Sequence, residues 1–314
     1  MVEVLHQAEG NDWVAYNGDS AEVLRGLPDN SVHYSVFSPP FASLYTYSNS
    51  ERDMGNCRTH DEFYEHMRFM VAELLRVTKP GRLLSFHCMQ LPSSKSRDGF
   101  IGIVDFRGLL IKLFQDAGWI FHSEVVIWKD PVVAVQRTKA LGLLYKQLCK
   151  DSAMSRMGIP DYVVTMRKPG VNEEPVNNGT GVKWSEYIGE QGPSKNEEPR
   201  QYAINVWQRY ASPVWFDIDQ SNTLQKESAR EDKDERHICP LQLDVIRRCI
   251  QLWTNPGDVV LSPFLGIGSE GYVALQEGRK FIGIELKRSY FDQAVANLAS
   301  VEPGGRNQQL RLIG

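Results

Sequence analysis

The stretch from Val259 to Glu285, VVLSPFLGIGSEGYVALQEGRKFIGIE, constrains the fold more than any other part of the sequence. Its apolar ends predict two β-strands, and a glycine-rich turn leads from the first strand into a helix between them. Gly266 and Gly268 in this turn would let the backbone approach a ligand closely. Glu285 lies 19 residues after Gly266, where a carboxylate can accept hydrogen bonds from both hydroxyls of a ribose. The segment therefore predicts a nucleotide-binding βαβ unit.

Details of the turn narrow the class of ligand. It lacks the third glycine of a dinucleotide fingerprint, and the sequence contains no phosphate-cradling G-x-x-x-x-G-K-[ST] loop. A ligand with adenosine but no phosphates fits better, which points to S-adenosylmethionine, whose sulfonium also suits the face of Phe264. Upstream, Asn17-Gly18-Asp19 supplies another acid, although Asp19 would serve equally as the N-cap of a helix.

A second unusual motif, FSPPF at residues 37–41, follows the strand-like run 32–36. Each proline fixes its own φ, has no N–H and pushes the preceding residue out of the helical region. The carbonyls of Ser38 and Pro39 are therefore left as rigid acceptors beside a hydroxyl and the apolar face of Phe41. Such a corner suits an amino group on an aromatic heterocycle.

Strand and helix patterns alternate along most of the chain, which predicts a mostly parallel sheet with helices on both faces. Thr59 and Glu62 form a capping box that opens an amphipathic helix, and this helix ends before Pro80. The other predicted elements are strands at about 83–87, 119–128, 258–261 and 280–285 and helices at about 106–116, 240–253 and 290–299.

The alternation fades between residues 130 and 205, which are rich in turn and loop residues. Residues 129–168 carry eight Lys or Arg against three Asp, in a chain whose net charge is −4. This excess fits either a solvated surface or a module that contacts phosphates. The candidate DNA contacts are Arg137, Lys139, Lys146 and Arg156. If they touch phosphates, removing their charges should flatten the salt dependence of binding.

Composition limits the other classes of function. No apolar run approaches the ~18 residues of a membrane span, and the first residues carry no secretion signal. The five cysteines are widely spaced without a C-x-x-C pair, which predicts free thiols in a reducing cytoplasm and no metal site.

Together, FSPPF and SPFLGIGS resemble the motifs of the amino-methylating DNA methyltransferases, which modify N4 of cytosine or N6 of adenine. The order, with the catalytic motif first, a basic region next and the cofactor motif last, is similar to that of the family's β group. The resemblance implies a Rossmann-like S-adenosylmethionine-dependent methyltransferase fold: α/β, with a mixed, mostly parallel sheet and a circularly permuted motif order. Residues 1–129 and 206–314 would form the catalytic and cofactor-binding domain, and residues 130–205 the inserted target-recognition region that binds DNA.

The resemblance also assigns roles to residues. The catalytic motif is Ser38, Pro39, Pro40 and Phe41. The cofactor-binding residues are Asp19, His237, Pro240, Ser262, Pro263, Phe264, Gly266, Gly268, Ser269 and Glu285. Two positions depart from the family: Ser262 replaces an aspartate, and Cys239 replaces a lysine before Pro240. Both changes remove charges near the methionine part of the cofactor, which would weaken its binding without abolishing it.

In this family, serine at the first catalytic position accompanies N4-cytosine methylation, and aspartate or asparagine accompanies N6-adenine methylation. Ser38 therefore favours cytosine, with adenine as the alternative. The sequence ties no His–Asp pair to Ser38, so we expect a positioning residue and not a covalent nucleophile. The target base would be flipped out of the duplex, at a cost of a few kcal/mol. Stacking on Phe41 would recover roughly 1–3 kcal/mol.

The expected partner is double-stranded DNA, with no membrane. A cognate restriction endonuclease and a homodimer are left open. We expect a cytoplasmic enzyme of prokaryotic or phage origin. Two other classes remain: a methyltransferase that acts on RNA, protein or a small molecule, and a non-catalytic binding module.

Overall fold

A computed structural model describes residues 4–40, 60–93, 95, 99–138, 143–177, 199–224 and 240–301. Its centre is a mixed sheet of nine strands in the order β1-β2-β11-β10-β3-β4-β8-β7-β9. The strands of this sheet are β1 (His6–Glu9), β2 (Trp13–Asn17), β3 (Val32–Phe37), β4 (Thr78–Met89), β7 (Ile120–Ile127), β8 (Asp161–Arg167), β9 (Val214–Trp215), β10 (Val259–Ser262) and β11 (Lys280–Glu285). The short strands β5 (Leu91–Ser93) and β6 (Gly102–Val104) form a separate antiparallel pair.

Most neighbouring strands of the large sheet are parallel. Strands β2, β11, β10, β3 and β4 are parallel to one another in that order, and β9 is parallel to β7. Strand β8 runs antiparallel to both β4 and β7, and β1 runs antiparallel to β2. The predicted mixed, mostly parallel α/β fold is therefore confirmed.

Helices cover both faces of the sheet. The described helices are α1 (Ser20–Arg25), α2 (His60–Val77), α3 (Phe106–Asp116), α4 (Pro131–Thr138), α5 (Tyr145–Leu148), α6 (Pro199–Tyr210), α7 (Leu243–Trp253), α8 (Ser269–Gln276) and α9 (Arg288–Ala299). Apolar side chains of α1, α2 and α3 form one core, and those of α7, α8 and α9 form another. Neighbouring residues of a strand point to opposite faces, so Val260 joins one core and Leu261 the other.

Several predicted elements have the expected place but different ends. The third helix and the last strand match their predicted bounds, whereas α7 begins at Leu243 and not at Pro240. Strand β4 begins at Thr78, five residues earlier than predicted, and its pairing with β3 shifts register near this start. Gly81 has a φ of +71°, which is the left-handed conformation that glycine tolerates within such an irregularity.

Strand β8, helices α4 and α5 and the start of α6 lie within residues 130–205, where the strand and helix patterns fade in the sequence. Residues 161–167 form an interior strand of the same sheet that carries the two motifs. The division of the chain into domains stays a prediction, but this strand belongs structurally to the large sheet.

The described cysteines Cys88, Cys149 and Cys249 are free thiols, as predicted, and Cys57 and Cys239 lie outside the described residues. Within the described parts of the chain, no helix has the length and apolar character needed to cross a membrane.

Candidate active site

The two sequence motifs meet at one edge of the sheet. Strands β3 and β10 are parallel neighbours, with Leu261 opposite Ser35, so both end at the same edge. At this edge, the rings of Phe37, the last residue of β3, and Phe264, just after β10, have their centroids 5.8 Å apart. The candidate amine-binding corner and the candidate cofactor loop therefore lie side by side, as the carboxyl ends of parallel strands do in ligand-binding α/β proteins.

The glycine loop has the geometry of a ligand cradle. Gly266 has a φ of +54° and Gly268 a φ of +91°, and both values favour glycine. A Cβ on Gly268 would lie 3.2 Å from the Cα of Ala294, whereas a Cβ on Gly266 would have no atom within 4 Å. The loop is thus packed against helix α9 at Gly268 and open at Gly266.

Glu285 holds this loop in place. Its Oε2 accepts a hydrogen bond from the backbone N–H of Gly266 at 2.8 Å, and its Oε1 accepts one from Lys287 N at 2.9 Å. An ionised carboxylate offers about four acceptor positions, so these two bonds are compatible with hydrogen bonds to ribose hydroxyls.

The Asn17-Gly18-Asp19 turn packs against the same strand end. Asn17 Nδ2 and the backbone N–H of Gly18 both donate to the carbonyl oxygen of Glu285, at 2.8 and 3.0 Å. Asp19 is the N-cap of α1, where its Oδ1 accepts a hydrogen bond from Glu22 N at 3.0 Å. The N-cap interpretation of Asp19 is therefore observed, and its contact with a cofactor stays a prediction.

Other predicted cofactor residues surround the loop. The carbonyl of Pro263 accepts a hydrogen bond from the Ser20 hydroxyl at 2.5 Å. Ser262, which stands where the family has an aspartate, is buried, and its Oγ has no hydrogen-bond partner among the described residues. Ser269 begins α8 and is also buried. A buried hydroxyl that is not otherwise bonded fits a polar ligand at this edge.

At the diproline corner, Ser38 and Pro40 are half-buried and Pro39 is buried. The Ser38 hydroxyl lies 3.0 Å from Nδ1 of His87 on β4. His87 Nε2 lies 3.1 Å from Oδ2 of Asp161, the first residue of β8, and Lys129 Nζ lies 2.5 Å from Oδ1 of the same carboxylate. A row of polar groups thus extends from Ser38 across strands β4 and β8.

Sequence reasoning missed His87 and Asp161 because residues 38, 87 and 161 become neighbours only through strand pairing. A signal for β8 was nevertheless present. The run DYVVTMR is rich in β-branched residues, and it lies between the turn sequences GIP and KPG.

Two basic residues of the segment 129–168 make contacts within the protein. Lys129 pairs with Asp161, and Lys168 Nζ donates to the carbonyl of Thr78 and to Asn30 Oδ1, both at 2.7 Å. Of the four named candidate contacts, Lys146 is exposed and Arg156 is half-buried. Arg137 lies in α4, and Lys139 lies outside the described residues.

The remaining predicted residues have less structural context. Pro240 is half-buried, three residues before α7. Phe41 and His237 lie outside the described residues.

Similarity to known proteins extends over nearly the whole chain. The profile of a family described as DNA methylase, N6_N4_Mtase, matches residues 32–296. The type II methyltransferase M.Cfr9I of Citrobacter freundii is 25% identical in an alignment of 327 positions, gaps included, that covers 95% of this chain and 92% of that protein. The type II methyltransferase M.BglII of Bacillus subtilis is 24% identical over 294 residues, covering 93% and 70%.

Solved structures share the fold. TTHA0409 of Thermus thermophilus, in complex with S-adenosyl-L-methionine, has a TM-score of 0.62 at 21% identity and covers 92% of this chain and 95% of its own. The cytosine-N4-specific PvuII DNA methyltransferase has a TM-score of 0.57 at 17% identity, covering 96% and 90%.

Proposed function

Because the chain belongs to the N6/N4 family of DNA methylases, we propose that it methylates N4 of cytosine at a specific site in double-stranded DNA. The chain is an amino-methyltransferase that acts on DNA and uses S-adenosylmethionine. The observation that carries the finer proposal is the position of Ser38, at a diproline corner beside the cofactor loop and in contact with a histidine.

The residues present fit S-adenosylmethionine. We propose that Glu285 holds the ribose, that Gly266 and Gly268 form the backbone cradle, and that Phe264 faces the sulfonium. Asp19, Ser262, Pro263, Ser269, Pro240 and His237 would complete the pocket. When bound, S-adenosylmethionine supplies an electrophilic methyl group.

The chain's own residues would prepare the acceptor. The exocyclic amine of cytosine is a poor nucleophile because its lone pair is delocalised into the ring. Hydrogen bonds from its N–H groups to Ser38 Oγ and the Pro39 carbonyl would favour a tetrahedral nitrogen and stabilise its developing positive charge. Pro40 would fix the corner, and Phe41 would stack on the flipped ring.

Adenine is the second candidate base, because the family includes enzymes of both kinds. Ser38 favours cytosine through the family pattern stated above. We further propose that parts of residues 130–205 outside β8 read the DNA sequence, with the side chains of Arg137, Lys139, Lys146 and Arg156 at phosphates. A partner endonuclease is proposed from the likeness to type II methyltransferases. We also propose that the protein forms a homodimer and that it is located in the cytoplasm.

The class of acceptor can be tested by transfer of a labelled methyl group to DNA, RNA and protein in parallel. We expect label in double-stranded DNA alone. Ser38→Ala should lower turnover at least tenfold while leaving the Kd of S-adenosylmethionine nearly unchanged, because the hydroxyl contacts the acceptor.

Label in RNA or protein but not in DNA would contradict the proposed substrate. Unchanged turnover of Ser38→Ala would remove Ser38 from the mechanism.

A further inference from the structure

The row of polar groups behind Ser38 ends in an ionised carboxylate. Only 3% of the Asp161 side chain is exposed, and burial alone would raise its pKa. Its electrostatic contacts and hydrogen bonds with His87 and Lys129 outweigh burial and lower the pKa of Asp161 below its ordinary value. An ionised carboxylate only accepts hydrogen bonds, so each of its neighbours must present a hydrogen to it.

This requirement determines the tautomer of His87. Lys129 Nζ approaches Oδ1 of Asp161, and His87 Nε2 approaches Oδ2 at 3.1 Å. In the neutral imidazole, the hydrogen therefore resides on Nε2, and Nδ1 keeps its lone pair. Because Nδ1 lies 3.0 Å from Ser38 Oγ, the serine hydroxyl must donate its hydrogen to Nδ1.

We propose that Asp161 and His87 are positioning residues that turn the Ser38 hydroxyl into a hydrogen-bond acceptor for the amino group of the target base. With its only hydrogen directed at Nδ1, Ser38 presents lone pairs to the N–H of the amine. Serine, which can donate or accept, thereby acquires the acceptor character that an aspartate would have in its place.

The same arrangement provides a route for the proton that the methylated amine must lose. The N–H bond of the amine breaks as an O–H bond forms at Ser38 Oγ, and the original hydroxyl proton passes to His87 Nδ1. The resulting imidazolium lies beside the Asp161 carboxylate, which stabilises its charge. The imidazolium returns the proton to water after the product leaves, so Ser38 never forms a covalent bond to the base.

This inference rests on the proposed function, because the acceptor must be an amine. Part of its test therefore requires no turnover. The ¹⁵N spectrum of the imidazole rings in the wild-type protein distinguishes protonated from unprotonated ring nitrogens. The chain has seven histidines, and the signal missing from the spectrum of His87→Gln assigns His87. We expect hydrogen on Nε2 and none on Nδ1, and hydrogen on Nδ1, alone or together with Nε2, would overturn the proposal.

The second part uses Asp161→Asn, which keeps the size of the side chain. Lys129 should donate to the oxygen of the new amide, so the NH2 group would face His87 Nε2. Because NH2 is a donor, Nε2 would have to accept, and the hydrogen of the imidazole would move to Nδ1. Nδ1–H would then donate to Ser38 Oγ and occupy a lone pair that the amine needs. We expect kcat to fall roughly 10- to 100-fold, less than in a serine protease, where the serine is a nucleophile. The KM for DNA and the Kd of S-adenosylmethionine should stay within about threefold of wild type.

Two comparisons separate this positioning effect from loss of stability. Asp258→Asn breaks the buried pair with Arg82 just before β10, at the opposite edge of the sheet, and should lower the Tm without changing kcat of the folded protein. In a Ser38→Ala background, Asp161→Asn should lower kcat less than twofold, because the two residues act as a unit. If the fold-decrease of kcat in the double variant equals the product of the fold-decreases in the two single variants, the proposal is refuted. A wild-type protein that transfers no methyl group would refute the proposed function, whereas the tautomer of His87 would still decide this inference.

Discussion

At the scale of single residues, two glutamates near the candidate site have opposite environments. Glu285 is half-buried and accepts hydrogen bonds from two backbone N–H groups, which suits an ionised carboxylate. Glu270, in the first turn of α8, is buried. Burial, with a smaller contribution from the charge of Glu285, raises the pKa of Glu270 to about 8. Glu270 is therefore expected to be neutral at pH 7.

The raised pKa of Glu270 in the folded protein predicts that stability depends on pH. The folded protein keeps a proton on Glu270 up to about pH 8, whereas the unfolded chain releases it near 4.5. Stability should thus fall as the pH rises through this range, because the folded state binds more protons there than the unfolded state. Glu270→Gln cannot lose a proton, so its Tm relative to wild type should rise by a few degrees across the same range and then level off.

Glu65→Gln is the matched control, since Glu65 is exposed on α2 with 64% of its side chain accessible. Its Tm difference from wild type should show no such trend. A difference for Glu270→Gln that is independent of pH would contradict the assignment of a neutral buried acid.

At the scale of elements, the two glycines of the turn between β10 and α8 are expected to affect different properties. Gly268 should matter mainly for stability, and Gly266 for ligand binding. Gly268→Ala places a Cβ 3.2 Å from Ala294 in a left-handed conformation, so we expect a loss of more than about 1–2 kcal/mol. Gly266→Ala meets no protein atom within 4 Å and should cost only the conformational part, about 1 kcal/mol. Because its new methyl group would lie on the open side of the loop, we expect Gly266→Ala to weaken S-adenosylmethionine binding more than its Tm suggests.

Thermal unfolding and calorimetric titration of the two variants with S-adenosylmethionine test this contrast. Equal losses of Tm, or wild-type affinity in Gly266→Ala, would contradict the described geometry of the loop.

The elements also show what the sequence could and could not predict. The glycine turn and the diproline corner were predictable because glycine and proline restrict the backbone locally. The contact of Ser38 with His87, and of His87 with Asp161, was not predictable because it depends on which strands pair. Asp161 reaches the site because β8 lies between β4 and β7 and is antiparallel to both. The sequence of β8 is surrounded by turn residues, which obscured the strand.

At the scale of the whole molecule, the two ends of the parallel strands differ in function. The carboxyl ends of β3, β4, β10 and β11 carry Ser38, His87, Phe264 and Glu285 at or near the candidate site. The opposite edge carries the buried pair of Asp258 with Arg82, and His33 Nδ1 there accepts a hydrogen bond from Val259 N at 3.0 Å. Charge counts along the sequence could not make this separation, because Lys129 pairs with Asp161 at the site end of the strands and Lys168 donates to Thr78 at the opposite end.

The most direct test of the account is nucleoside analysis of unmethylated double-stranded DNA after incubation with the protein and S-adenosylmethionine, followed by methylation-aware sequencing. We predict N4-methylcytosine at one recurring sequence, and at least tenfold less of it with Ser38→Ala at the same protein concentration and time. N6-methyladenine as the product, or cytosine methylation that is undiminished without the Ser38 hydroxyl, would contradict the account.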